Sequence, residues 1–171
     1  MFSAYLQIDN MAGESTDSQH KNWIELQKFE IAGLQQQSGQ SLSQGGALTA
    51  GRSTLEPFTV VKLTDKASPK IFDACMKGTH IPKITLSVCR QTGSSSGATE
   101  FIKYEITNAM VVGFHHTGDA STTRAEENTS SLPTEEVKFI GVTHSITYTE
   151  TDTKGEKKGS VVGKYDLSQN K

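Results

Sequence analysis

The sequence predicts a mainly β domain, an antiparallel sandwich or barrel joined to one short α-helix. Three observations lead there. Apolar and polar residues alternate with a period of two through most apolar stretches, the signature of strands with one buried face. Clusters of Gly, Ser, Asn and Asp separate those stretches and read as turns. A lone segment, Ser68 to Gly78, instead spaces its apolar residues three and four apart between start and stop signals.

The first strand is Phe2, Ala4, Leu6 and Ile8, alternating with Ser3, Tyr5, Gln7 and Asp9. Ala12 to His20 follows as a polar loop. Trp23 to Ile31 is the second strand, and its parity slips: Ile24 and Leu26 mark one phase, Phe29 and Ile31 the other. One inserted residue between Leu26 and Phe29 is what a β-bulge supplies. Gln36 to Thr54 is a Gln/Ser/Gly-rich loop with isolated Leu42 and Leu48, long enough to suggest a use. Leu55 to Leu63 returns to a strand, with Phe58 and Val60 giving way to Val61 and Leu63.

In the helix, Ser68 is the expected cap, Pro69 sits in the first turn and Gly78 closes it. Ile71, Phe72, Cys75 and Met76 form its apolar stripe, expected to cover a sheet edge or barrel end. Ile84, Leu86 and Val88 then alternate up to a turn at Gly93 to Gly97. Ile102, Tyr104, Ile106, Met110, Val112 and Phe114 make the longest alternation, broken at Asn108. After a polar loop from Thr117 to Pro133, a strand runs from about Glu135 to Glu150. There Val137 and Phe139 hand over to Ile140, Val142, Ile146 and Tyr148. Asp152 to Lys158 is a hairpin turn, and Val161 to Leu167 is the last strand. No linker splits the 171 residues, so residues 1–171 read as one domain.

Composition narrows the function. The net charge is −2, and no lysine block is available to neutralise phosphates, which argues against nucleic acid. Charged residues stop at 21%, short of a disordered polyelectrolyte. No window approaches the roughly 18–20 apolar residues of a membrane helix. The first nine residues lack the basic and apolar regions of a signal peptide, so synthesis in the cytoplasm and export without a cleavable signal are expected. Cys75 and Cys89 read as small buried packing residues rather than a redox pair.

Candidate chemistry is sparse. His80, His115, His116 and His144 invite a zinc reading, but adjacent strand residues point to opposite faces. Ser15, Asp17 and His20 suggest a triad, yet they share one polar loop that turn formation explains equally well. Glu135-Glu136 and Glu126-Glu127 read as solvated acids, and Asn128-Thr129-Ser130 fits a glycosylation pattern. No catalytic residue, metal or cofactor is expected.

Four stretches share the pattern of one family. Gly13-Glu14-Ser15-x-Asp17-x-x-His20 precedes the second strand; Asp65 to Lys70 leads to Ala74-Cys75-x-x-Gly78-x-His80-Ile81. Leu132-Pro133-Thr134-Glu135-x-Val137 and then Asp152-x-x-Gly155 through Lys164-Tyr165-Asp166-Leu167 complete the set. In this order they resemble the Hcp family, the haemolysin-coregulated proteins of bacterial type VI secretion. The resemblance implies an antiparallel β-barrel of two sheets with one helix alongside, like a phage tail-tube protein. It implies a homo-hexameric ring, rings stacked into a tube, a contractile sheath around it and a spike protein at its tip. Small effector proteins are expected in the lumen, with no nucleic acid and no membrane insertion.

By that resemblance Lys28 and Glu30 face the lumen, while Phe29 and Ile31 point into the barrel. Leu42, Leu48 and Arg52 are the candidate ring or stacking contacts. A chain with no toxic domain after its last strand is expected to be the plain structural form. The alternative is a monomeric β-sandwich that binds a ligand, which would want a platform of exposed aromatics. Trp23 is the one tryptophan, and it falls in a strand.

Overall fold

The computed structural model describes residues 2–37, 50–91, 98–118, 132–152 and 157–169. In chain order the elements are β1 (Phe2–Ile8), β2 (Ile24–Glu30), β3 (Gly33–Gln37), β4 (Ala50–Leu55), β5 (Phe58–Leu63) and α1 (Ser68–Lys77). The long strands β6 (His80–Gln91), β7 (Ala98–Thr117) and β8 (Thr134–Thr151) follow, then β9 (Lys157–Asp166). The main sheet runs β5-β2-β1-β6-β7-β8-β9, and β5 pairs back onto β8. That return closes a barrel of β5, β2, β1, β6, β7 and β8, all antiparallel. Strand β9 extends the sheet beyond the closure, pairing with the second half of β8. β3 and β4 form a separate two-stranded ribbon.

Alternation fills the barrel. Leu6, Ile24, Phe58, Val60, Ile84, Leu86, Ile106, Val137 and Phe139 are almost fully buried and pack as one cluster with Ala67, Ile71 and Ala74 of the helix segment. The bulge expected in β2 is present: Leu26 pairs with Lys62, but Lys28 pairs with Val61, which leaves Gln27 extra. The bulge turns Phe29 and Ile31 toward the cluster and leaves Lys28 and Glu30 outside.

Elsewhere the inward set differs from the sequence reading. In β5 no parity change occurs; Phe58, Val60 and Lys62 all point inward, so a lysine occupies the third core position. In β7, Asn108 adopts φ 53°, and Ala109 and Val111 become the inward residues in place of Met110 and Val112. The switch is shared by neighbouring strands at the same level. The row Ile81–Ala109–Gly141 and the row Ile84–Ile106–His144 lie three residues apart yet both face inward. In β8 the handover to the other parity comes later than expected: Ile140 is exposed, His144 is buried, and Ile146 and Tyr148 are exposed.

The helix ends as expected at Gly78, which takes the left-handed conformation (φ 62°) that glycine tolerates best. Its start differs: Ala67 is the N-cap residue, and Ser68 lies inside the first turn. Asp65 organises that turn, its Oδ1 accepting the Ala67 amide at 2.9 Å. Ile71 and Ala74 are buried, while Phe72 and Met76, placed on the same stripe by spacing, are exposed. Phe72 instead meets Phe114 of β7 edge-on at 5.7 Å.

The Gln36–Thr54 loop is also shorter than the sequence suggests, because its ends are strands β3 and β4; Leu55 belongs to β4 rather than β5. Leu42 and Leu48, the turn at 93–97, the Asn128 segment and Glu126-Glu127 lie outside the described residues. The loop before β2 folds onto itself, with Gly13 donating to Asn22 and Ser15 to Trp23 through the backbone. A Cβ on Gly13 would stand 2.4 Å from the Trp23 carbonyl oxygen. Gly13→Ala is expected to cost about 1–3 kcal/mol in urea unfolding, the range for overpacking. Gly159→Ala, with nothing within 4 Å, should leave the midpoint nearly unchanged; equal effects would contradict this close approach.

Candidate assembly surface

Lys28 and Glu30 project outward from β2 after its bulge and lie 3.4 Å apart as an exposed ion pair. Register extends their rows across the barrel wall. Lys28 sits beside Val61, then Glu136, then His115; Glu30 sits beside Thr59, then Lys138, then Gly113. Glu136 and Lys138 are themselves 3.3 Å apart. This face of β2, β5, β8 and β7 therefore presents alternating charges in small neutral pairs. Such exposed pairs add little stability. Their consequence is a charged, hydrated stretch of wall, interrupted by Val61 and followed along β8 by the exposed Ile140.

Directly behind that wall lies a buried ionic cluster. Lys62 Nζ is 2.8 Å from Glu135 Oε2 and 3.0 Å from Asp65 Oδ1, and both Lys62 and Glu135 are fully buried. Ser68 joins them, donating to Glu135 at 2.8 Å and accepting from Lys62 at 2.9 Å. Glu135 is thus a structural anchor, not the solvated acid its sequence neighbourhood suggests. The cluster ties β5, β8 and the start of α1 at the point of barrel closure.

The Ser15, Asp17 and His20 residues do meet, as a turn. Asp17 Oδ1 accepts the amides of Gln19 and His20 and lies 2.9 Å from His20 Nδ1. Burial works against the Asp17 charge, but the hydrogen bonds from His20 and Gln19 win and hold its carboxyl below the usual range. The other His20 nitrogen lies 2.9 Å from Ser87 Oγ, and its ring stacks on Tyr5 at 4.3 Å. Sequence spacing gave no hint of Ser87, which lies 67 residues away. An Asp–His–Ser line results, yet Ser87 has no exposed surface and its hydroxyl donates to Glu100. A nucleophile needs access and an oxyanion pocket; this line instead clamps the loop onto β1 and β6. Burial pushes the neighbouring Cys89 thiol up, which suits a packing residue. Trp23 packs edge-on against His20 at 4.9 Å rather than in an aromatic platform.

The histidines are dispersed. His80, His115 and His116 are exposed on β6 and β7, while His144 is buried on β8. His144 Nδ1 lies 2.5 Å from the Tyr104 hydroxyl and its Nε2 3.0 Å from the Gly141 carbonyl. Burial lowers the His144 pKa and raises that of Tyr104 to about 12. Among the described residues no group of His, Cys, Asp or Glu is arranged to hold a metal, and no helix is long and apolar enough to cross a membrane.

Two further surfaces stand out. Beyond the barrel, the inward rows run on without cover: Val88–Ile102–Tyr148–Val161 leads from a buried residue to exposed ones. Val161 is 74% exposed, and Lys157, Lys158 and Lys164 flank it on β9. On the other side, where β5 leaves β2, a groove of about 430 Å³ is lined by Glu14, Thr16, Glu25, Leu26, Leu63 and Leu132 among others. Arg52 falls on β4, the ribbon held to β9 by a 2.8 Å contact between Ser53 Oγ and the Tyr165 hydroxyl.

Residues 5–148 match the family described as "Type VI secretion system effector, Hcp". The chain belongs to the Hcp family. No curated protein matches it in sequence. Among solved structures it is similar to one described as a type six secretion system protein, at 28% identity and a TM-score of 0.86, covering 100% of this chain and 99% of that one. It is also similar to Hcp1 from Salmonella typhimurium, at 24% identity and a TM-score of 0.71, covering 99% and 97%. A type VI secretion system effector from Yersinia pestis shares the fold at 20% identity and a TM-score of 0.69, covering 95% and 98%. This Hcp-family chain is thus a type VI secretion protein built on an Hcp-like barrel.

Two predictions concern what holds this barrel. Glu135→Gln leaves Lys62 buried without its main partner and is expected to cost about 3–5 kcal/mol, whereas Lys62→Met with Glu135→Leu should recover most of that loss. Chemical denaturation of the three proteins checks it; a harmless Glu135→Gln would contradict the cluster's role. For His144, the lowered folded-state pKa means the unfolded chain takes up the proton first. Stability should therefore fall as pH drops through about 6.5, the ordinary histidine value. His144→Gln should flatten that part of a stability–pH profile, and an unchanged slope would contradict the assignment.

Proposed function

We propose that this Hcp-family chain is the inner-tube subunit of a type VI secretion system. Six copies close into a ring, rings stack into a hollow tube, and the lumen carries small effector proteins. A contractile sheath drives the tube and a spike protein tips it, so the chain leaves the cytoplasm through the apparatus itself. The role is structural and carrying rather than catalytic.

The observation that carries this reading is the outward wall of β2, β5, β8 and β7. Lys28, Glu30, Glu136 and Lys138 alternate there as neighbouring ion pairs. A channel wall must pass folded cargo without gripping it. A hydrated surface with local charge balance at Lys28, Glu30, Glu136 and Lys138 suits that requirement. The β9 extension supports the same reading from the other side, since an uncovered sheet edge is finished by pairing or packing with another chain.

Negative-stain images of the purified protein are expected to show hollow rings. Glu30→Lys should leave those rings intact and change how much of a co-expressed small effector co-purifies. Particles without a channel would overturn the tube reading; collapse of the ring in Glu30→Lys would move Glu30 from the lumen to a subunit contact.

A further inference from the structure

We propose that β9 of one copy seats in the Glu14–Glu25 groove of the next copy, so that a lysine-flanked valine strand meets an acidic, leucine-floored cleft. The inference rests on the ring reading and adds to it which surfaces touch.

The two surfaces are complementary in both charge and polarity. Along β9, Lys157, Lys158 and Lys164 are exposed together with Val161 and Val162. Lys158 is the extra residue of a bulge, since Glu150 pairs with Gly159 while Thr151 pairs with Lys157. The groove carries Glu14 and Glu25, both exposed, over Leu26, Leu63 and Leu132, the last 52% exposed. Its third acid, Asp65, is already committed to Lys62, and Glu14 accepts the Lys66 amide at 3.1 Å while keeping its charge; no lysine or arginine is among the described lining residues. Two acids therefore border an apolar floor near the start of β8, where Leu63 pairs with Thr134, and lysines border an apolar strand along the second half of β8.

The two surfaces lie on different strands of the same chain, which fits a head-to-tail contact. A contact of that kind closes into a ring when the rotation permits, whereas a self-matching patch would give a dimer. Lysines on an edge strand discourage indiscriminate strand pairing. Acids placed only where the correct neighbour docks turn that protection into selectivity.

The test is charge reversal with rescue. Lys158→Glu/Lys164→Glu and, in a second protein, Glu14→Lys/Glu25→Lys are each expected to lower ring formation at least tenfold by native mass spectrometry. The protein carrying all four changes should assemble again. The neutral variants Glu25→Gln and Lys158→Gln should assemble with a weaker dependence on salt, and thermal melts should show every variant folded. Rings that persist unchanged in both reversed proteins would overturn the proposed contact while leaving the ring reading intact. Loss in both without rescue in the fourfold variant would overturn it as well, because the charges then do not face each other. A parent chain that forms no ring fails the tube reading itself, before any variant is compared.

Discussion

Strand β8 pairs with β7 along one edge and changes partner along the other, and the architecture depends on that division. Its first half pairs with β5 and closes the barrel; its second half pairs with β9 and leaves the barrel altogether. Closure at β5 is fixed by the buried Lys62–Glu135 pair, which sits on facing residues of the two strands. A buried ion pair is a poor source of net stability compared with apolar packing, but it penalises every alternative register in which one charge is left alone. Because the pairing of β5 with β8 is pinned in this way, the point at which β8 departs is pinned too.

That departure separates two kinds of surface. Within the closed part the core is complete, and register places Lys28 and Glu30 across one intervening strand from Glu136 and Lys138 on the outer wall. Beyond it, the same inward rows emerge with Ile146, Tyr148 and Val161 uncovered. In the proposed ring, a chain that finishes its own core on one side and leaves core-type residues open on the other is completed by another copy. The clamp of Asp17, His20 and Ser87 serves the same end, holding the loop that supplies Glu14 and one rim of the groove.

Much of the fold was legible in the residues. The parity slip between Leu26 and Phe29 located the β2 bulge, and Pro69 and Gly78 bracketed the helix, because these signals are local and steric. The placement of Phe29 and Ile31 toward the barrel, with Lys28 and Glu30 away from it, was implied by the family resemblance. Lys62 was hidden for the opposite reason: a lysine reads as solvent-facing, and its partner Glu135 lies 73 residues away. Asn108 looked like a simple interruption, whereas its positive φ is part of a face switch that spans three strands. Phe72 and Met76 share the helical stripe of Ile71, but only tertiary packing decides that they stay outside. The groove was not readable at all, since Glu14, Glu25, Leu63 and Leu132 come from segments that only barrel closure brings together.

The central claim is that an Hcp-family barrel with one finished and one unfinished side completes itself in a ring. The mass of the purified 18.5 kDa chain, by light scattering on a sizing column at micromolar concentration, tests it most directly. The account predicts about 111 kDa, the mass of six 18.5 kDa copies in a closed assembly. A stable species of 18.5 kDa would contradict it.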